Sequence, residues 1–81
     1  MKIGDLEYLC TGDVFISQVE RPHTTMEIEH IFIGSHVRIK EAVSILFIDD
    51  NGEASRIGNI SMIADWEYSH NTFNFGVREK K

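Results

Sequence analysis

The stretch ISMIADWEYS, residues 60–69, alternates between two kinds of side chain. Its even positions are all apolar or aromatic, whereas its odd positions include one apolar residue, Ile63. A period of two is typical of a strand with one buried and one solvated face. A helix over residues 60–68 competes with this interpretation, because Ile60, Ile63 and Ala64 also share a helical face. The strand fits more positions, and the sequence therefore predicts a strand at 61–69.

The residues that follow predict a hairpin. A polar turn at 69–72 precedes a second alternating segment, predicted as a strand at 72–78. Folding the chain back at this turn places Tyr68 opposite Phe73 and Trp66 opposite Phe75. Aromatic cross-strand pairs contribute about 0.2–1 kcal/mol each. The turn and the aromatic pairs agree on one register, and we expect these aromatic side chains to form core.

Another hairpin is indicated by the Asn51-Gly52 pair, which tolerates the positive φ angles of a type I′ turn. Before it, the odd positions of 37–48, Val43 among them, are apolar apart from Glu41. This pattern predicts a strand at 36–49. The more polar return segment predicts a weaker or edge strand at 53–60.

The first half of the chain predicts strands at 13–20 and 25–33, separated by Arg21-Pro22. Residues 5–10 fit either one or two helical turns capped by Asp5, or a first strand turning at 11–13. The strands are expected to follow one another as a meander. The fold class is thus mainly β: a small antiparallel sheet or partly closed barrel of five to six strands, with room for one short N-terminal helix.

Composition narrows the class of protein. The chain has 81 residues, which predicts a single domain over 1–81, and its 42% hydrophobic and 26% charged residues argue against disorder. Cys10 is the one cysteine, so an intramolecular disulfide is impossible. The longest apolar run, residues 45–48, is far shorter than the roughly 20 residues of a membrane span. We therefore expect a cytoplasmic protein with no membrane partner.

Catalytic, metal and cofactor sites are not expected from the sequence. The four histidines are spaced 7, 6 and 34 residues apart, whereas zinc ligands come in closely spaced pairs. A lone Cys10 beside Leu9 is better explained as a small core residue than as a nucleophile. Glycines do not occur at phosphate-binding spacing. The chain is accordingly expected not to be an enzyme.

Acidic residues suggest a binding surface. The net charge is −5, and two acid pairs, Asp65 with Glu67 and Glu27 with Glu29, each lie on one face of a predicted strand. Such a face is complementary to a basic patch. We expect a non-enzymatic acidic interaction module that binds a larger protein and blocks or regulates it, by occlusion or by mimicry of an acidic substrate. Inhibitors, immunity proteins and phage anti-defence proteins share this size and charge.

The alternative is a small β-barrel that binds nucleic acid or a nucleotide-like ligand. Trp66 and Phe75 would stack on bases, and Arg38 and Lys40 would contact phosphate. The net charge makes this partner less favoured. Because an 81-residue sheet has edges to protect, homodimerisation is also expected over a monomeric state.

Overall fold

The computed structural model describes residues 1–42 and 44–80. Val43, which belongs to the predicted strand 36–49, lies outside the described residues. The fold is mainly β, with short 3-10 turns at Ile3–Asp5, Ile39–Glu41 and Ile60–Ile63. The strands are β1 (Tyr8–Leu9), β2 (Asp13–Arg21), β3 (Thr24–Phe32), β4 (Val37–Arg38), β5 (Ile45–Asp49), β6 (Ala54–Ile57) and β7 (Glu67–Asn71).

Two antiparallel sheets are formed by these strands. One has five strands in the order β6-β5-β3-β2-β7, and the other is the β1-β4 ribbon. Strands β2, β3, β5 and β6 follow one another as a meander, as expected. The expectation is wrong for β7, which returns across the sheet to pair with β2. The larger sheet is not closed, because β6 and β7 lie at opposite ends of it.

The β2–β3 hairpin confirms the predicted strands at 13–20 and 25–33. Its ladder runs from Val14 opposite Ile31 to Arg21 opposite Thr24. Along β2, Phe15 is buried in the core, whereas Ile16 is partly buried and Gln18 and Glu20 are exposed. Strand β5 pairs only with residues 30–32 of β3, and β7 only with residues 13–16 of β2. The end of the hairpin near its turn is therefore a two-stranded arm.

The hairpin at Asn51-Gly52 is confirmed in position, but its turn differs from the expectation. Backbone hydrogen bonds close the loop between Asp49 and Glu53, and Gly52 is the loop residue with positive φ, at 81°. The loop is therefore one residue longer than a type I′ turn. The Asp49 carboxylate accepts the N–H groups of Asn51 and Glu53, which accounts for the longer loop.

The predicted strand at 36–49 is interrupted. Its first residues form β4, a 3-10 turn follows, and a strand resumes at Ile45. The turn sends Ile39 into the core and leaves Glu41 exposed. Glu41, the exception to the alternation, thus marks the break. The return strand is also shorter than predicted, at Ala54–Ile57.

The strand predicted at 61–69 is wrong over 61–66, its first two thirds. Residues 60–63 form a 3-10 turn capped by Asn59, whose side chain accepts the Ser61 N–H. The turn buries Ile63 and exposes Met62. Strand structure begins only at Glu67. The helical face weighed as the competitor is closer to what forms here, although the helix is a single short turn.

The strand predicted at 72–78 and its pairing with 61–69 are wrong as well. Strand β7 pairs with β2, with Tyr68 opposite Phe15, and a bulge at Ser69 follows from the register shift. Beyond Asn71 the chain leaves the sheet. Phe73, Phe75 and Val77, at alternate positions, are exposed rather than core. The last described residues pair instead with the N-terminal segment, through Glu7 N–H to Arg78 O and Lys80 N–H to Asp5 O.

One hydrophobic cluster fills the space between the larger sheet and the segments that cover it. Neither alternative for residues 5–10 holds over its whole length, because the 3-10 turn ends at Asp5 and the strand occupies only Tyr8–Leu9. The N-terminal segment covers the cluster from one side. The fully buried members are Ile3, Leu6, Leu9, Phe15, Phe32 and Ile63.

Candidate functional site

An acidic groove of about 470 Å³ opens where β7 begins beside β2. It brings together three of the four acids singled out in the sequence: Glu27 from β3, Asp65 from the turn before β7, and Glu67 from β7 itself. The fourth, Glu29, lies next to the groove. The rest of the lining is Lys2, Ile16, Ser17, Gln18 and Trp66.

The strand register explains how distant acids meet. Ile16 of β2 lies opposite Glu29 on one side and opposite Glu67 on the other. The two carboxylates therefore share one row and one sheet face, on strands about 10 Å apart. Glu27 is opposite Gln18, one row further along the same face. The four acids come from three separate segments, which the expected pairing of 61–69 with 72–78 would not have joined.

Glu67 is already engaged within the chain. Its carboxylate bonds to the Met1 ammonium at 2.6 Å and to Lys2 Nζ at 3.2 Å. The hydrogen bonds from the chain terminus and from Lys2 lower the pKa of Glu67. Neither Glu27 nor Asp65 forms an ion pair with any described residue. The charge that the groove offers to a ligand is thus mainly that of Glu27 and Asp65.

A free backbone edge adjoins this groove. The β7 ladder ends where Glu67 meets Ile16, but β2 runs on to Arg21. No described residue pairs with residues 17–21 of β2 on the side away from β3. Because alternate N–H and C=O groups of an edge strand point outward, this edge can accept another strand.

The inner wall of the groove contains a buried polar pair that the sequence did not indicate. Ser17 Oγ lies 2.8 Å from His30 Nε2, and both residues are buried. The His30 ring stacks on Trp66, with centroids 4.3 Å apart. Burial lowers the pKa of His30, although Asp49 and Asp50 oppose this effect. The imidazole is therefore neutral at pH 7 and bonds to the serine hydroxyl.

This pair does not extend to a third member. His30 Nδ1 is buried and has no hydrogen-bond partner among the described residues. Asp49 is opposite His30 in the ladder, but its Oδ1 accepts two backbone N–H groups of the β5–β6 turn. A histidine base is normally oriented by a carboxylate or carbonyl at its second nitrogen. The geometry is that of a buried polar contact which fixes the Trp66 wall.

A second polar cluster holds the C-terminal segment. Asp13 is fully buried, and its carboxylate accepts from Arg78 Nη2 at 2.6 Å, Asn71 Nδ2 at 2.7 Å and Cys10 N–H at 2.8 Å. Burial acts to lower the pKa of Arg78, but the hydrogen bond and charge of Asp13 outweigh it, so the pKa is raised. Burial also raises the pKa of the Cys10 thiol. Cys10 is a core residue, as interpreted from the sequence.

The four residues predicted for the alternative nucleic-acid site do not lie together in the structure. Arg38 and Lys40 do share a groove, of about 430 Å³, with Glu7 and Lys80. We call it the cationic groove. Trp66 is not part of it, since its ring contacts those of His30 and Phe47. Phe75 packs near His36 instead, so the expected platform of Trp66 and Phe75 is not formed.

The chain matches no protein-family model, no curated protein and no solved structure. None of the helical turns in residues 1–42 and 44–80 is long and apolar enough to cross a membrane. The features that bear on function are therefore the two grooves and the chemistry of their side chains.

Proposed function

We propose that this chain is a non-enzymatic interaction module that binds an extended basic segment of a larger protein and thereby blocks or regulates it. One observation carries the proposal: the ladder between β2 and β7 ends at the Ile16–Glu67 pair while β2 continues to Arg21, and the unpaired edge borders the acidic groove. A strand supplied by a partner would continue the line of β7 along β2. Strand addition of this kind is a common mode of peptide recognition.

In this arrangement, the backbone of β2 would bind the partner strand, and the side chains of the groove would select its sequence. The edge of β2 supplies main-chain hydrogen bonds that do not depend on sequence. Trp66 forms an apolar wall for one alternate side chain of the partner, and its orientation is fixed by stacking on His30. Glu27 and Asp65 select basic residues at the rim. The net charge of −5 also speeds encounter with a basic partner.

The Ser17–His30 hydrogen bond has a structural part in this proposal. It satisfies two polar groups inside the wall and holds the ring on which Trp66 stacks. A rigid indole loses little entropy on binding, so a fixed wall favours affinity. Blocking then needs no chemistry, because the partner segment is occupied for as long as it is paired.

Capture from native lysate, with mass spectrometry and a nuclease-treated arm, tests the proposal. The affinity tag belongs at the C-terminal end, since the Met1 ammonium bonds to Glu67. The test variant is Glu27→Lys with Asp65→Lys, which reverses the two unpaired acids and leaves Glu67 in place. The control, Asp50→Lys with Glu53→Lys, makes the same charge change at the exposed β5–β6 turn.

The proposal expects one stoichiometric protein that survives nuclease treatment, is retained by the control variant and is lost by the groove variant. Loss by both variants would reduce the interaction to net charge and contradict a groove. Retention by both, or recovery of nucleic acid alone, would also contradict it.

A further inference from the structure

A row of four rings lies on the surface away from the acidic groove, and we call it the ring row. Its members are consecutive neighbours: the Tyr8 and His36 centroids are 5.8 Å apart, those of His36 and Phe75 6.0 Å, and those of Phe75 and Phe73 6.3 Å. Phe73 is 62% exposed and Phe75 46%. Large rings of a small domain are normally needed in its core, so this exposure calls for a cause.

The ring row is held in place rather than loose. Asn71 Oδ1 accepts the N–H of Phe73 at 2.7 Å, and Asn71 itself bonds to buried Asp13. Gly12, at a φ of 88°, approaches the Phe73 ring so closely that a Cβ would lie 2.6 Å from it. At the other end, the Arg78 guanidinium lies 5.4 Å from the Tyr8 ring centroid. The segment is thus fixed at both ends while the rings of Phe73 and Phe75 remain exposed.

Unpaired cations border the same row. Tyr8 lies opposite Arg38 in the β1–β4 ribbon, and Arg38 lines both the hollow beside Tyr8 and His36 and the adjoining cationic groove. Lys40, Lys80 and one acid, Glu7, complete that groove. None of these three cations forms an ion pair within residues 1–42 and 44–80. Arg38 therefore joins a basic surface to an aromatic one.

We propose that the ring row and the cationic groove together bind single-stranded nucleic acid. Unstacked bases pack on aromatic rings, and cations that flank the rings replace phosphate counterions. An acidic peptide would use the cations but gains nothing specific from a row of rings. A duplex would use them too, but its bases are already stacked. Rings at successive spacings of about 6 Å suit several bases in sequence, and so a strand rather than one nucleotide.

Fluorescence anisotropy with a labelled oligonucleotide of about ten thymidines, in low salt of roughly 50 mM, tests this proposal. Phe75→Ala should weaken binding by about fivefold or more, the effect of losing one stacked base. Arg38→Glu with Lys40→Glu should abolish it. The controls are Met62→Ala, an exposed apolar residue elsewhere, and Arg56→Glu, an exposed cation on β6. Both should bind as the parent chain does.

Salt dependence and competitors complete the test. Contacts from three cations predict a slope of about −2 in log affinity against log salt. Competition by unlabelled strand, but not by duplex of the same length, supports the proposal. Equal competition by thymidine monophosphate would overturn it in favour of a mononucleotide site. Absence of binding, or equal weakening by Met62→Ala and Phe75→Ala, would also overturn it. Circular dichroism of each variant checks that the fold is retained.

Discussion

Two acidic side chains, Asp13 and Glu67, fasten the two ends of the chain to the sheet through ion pairs that differ in burial. Asp13 and Arg78 form a buried pair that fixes the C-terminal segment and, with it, the ring row. Glu67 pairs with Met1 and Lys2 at the surface and fixes the N-terminal segment beside the acidic groove. An ion pair therefore anchors the segment beside each candidate surface. The Asp13 pair is buried, whereas the Glu67 pairs are exposed to solvent.

Burial determines how much stability each ion pair contributes. Asp13 also accepts bonds from Asn71 and the Cys10 N–H, so three groups lose their acceptor if it is removed. Breaking a buried pair leaves a charge that water cannot solvate. An exposed pair is replaced by hydration when one partner is lost. The C-terminal segment held through Asp13 should therefore be firmly fixed, whereas the N-terminal segment depends on exposed contacts of Glu67 and is held more weakly; the Trp66 wall of the acidic groove is fixed separately, by His30.

The largest expected effect is that of Asp13→Ala. It leaves the Arg78 charge buried and should lower the free energy of unfolding by about 3–5 kcal/mol. Urea denaturation followed by tryptophan fluorescence measures it. Because a domain of this size has only about 4–12 kcal/mol in total, Asp13→Asn provides a milder variant of similar shape. A loss no larger than that of Glu67→Gln would show that burial does not distinguish the pairs.

A smaller loss is expected for Ser17→Ala, which removes a buried but uncharged contact. His30 Nε2 would lose its partner, and His30 Nδ1 has none among the described residues. One unsatisfied buried group costs about 1–3 kcal/mol. The same denaturation experiment measures the change, with Ser35→Ala, at an exposed serine, as the matched control. Equal stabilities of the two variants would mean that the Ser17–His30 bond contributes nothing.

The free energy of unfolding should fall in two steps as the pH is lowered, the first due to His30 and the second to Glu67. Because the pKa of His30 is lowered from 6.5 in the fold, the unfolded chain takes up the proton first, and stability is lost as the pH falls below about 6.5. The pKa of Glu67 is lowered from 4.5, so its contribution is lost only below about that pH. Denaturation at a series of pH values should show the first decline in the parent chain and not in His30→Gln. An unchanged first decline in His30→Gln would exclude His30 as its source.

The smallest effect is expected for Glu67→Gln, which breaks only the exposed contacts of the N-terminal segment. Stability should change far less than in Asp13→Ala, and the change should shrink further in high salt. Paired denaturation curves at low and high ionic strength measure it. A large, salt-insensitive loss would place the Glu67 pair in the same class as Asp13 and Arg78.

The sequence predicted the fold wherever local pattern and local pairing coincide. The β2–β3 hairpin and the turn at Asn51-Gly52 depend on residues close in the chain, and both form. The strands predicted within residues 60–78 were wrong because the side chains there contact residues that are distant in the sequence. Ile63 is buried from a 3-10 turn, and Asn71 and Arg78 are drawn to Asp13, about 60 positions away. No local period encodes such contacts.

The candidate sites were likewise predicted in part. Asp65, Glu67 and Glu27 were singled out for their charge, and the structure does bring them to one groove. That Glu67 is neutralised by Met1 and Lys2 follows only from the tertiary pairing of the N-terminal segment. The free edge of β2 was equally invisible, because it depends on where β7 ends. Phe73 and Phe75 were expected to be core, since alternation alone does not distinguish a buried row from an exposed one.

Whether a partner strand adds to the free edge of β2 can be measured by amide hydrogen exchange of the captured complex, compared with the free chain. A partner strand added beside β2 should protect outward-facing amides within residues 18–21, which no described strand now pairs on that side. We expect this protection in the complex, together with unchanged exchange at Tyr8 and His36. Protection confined to the ring row, with residues 18–21 exchanging as in the free chain, would contradict it.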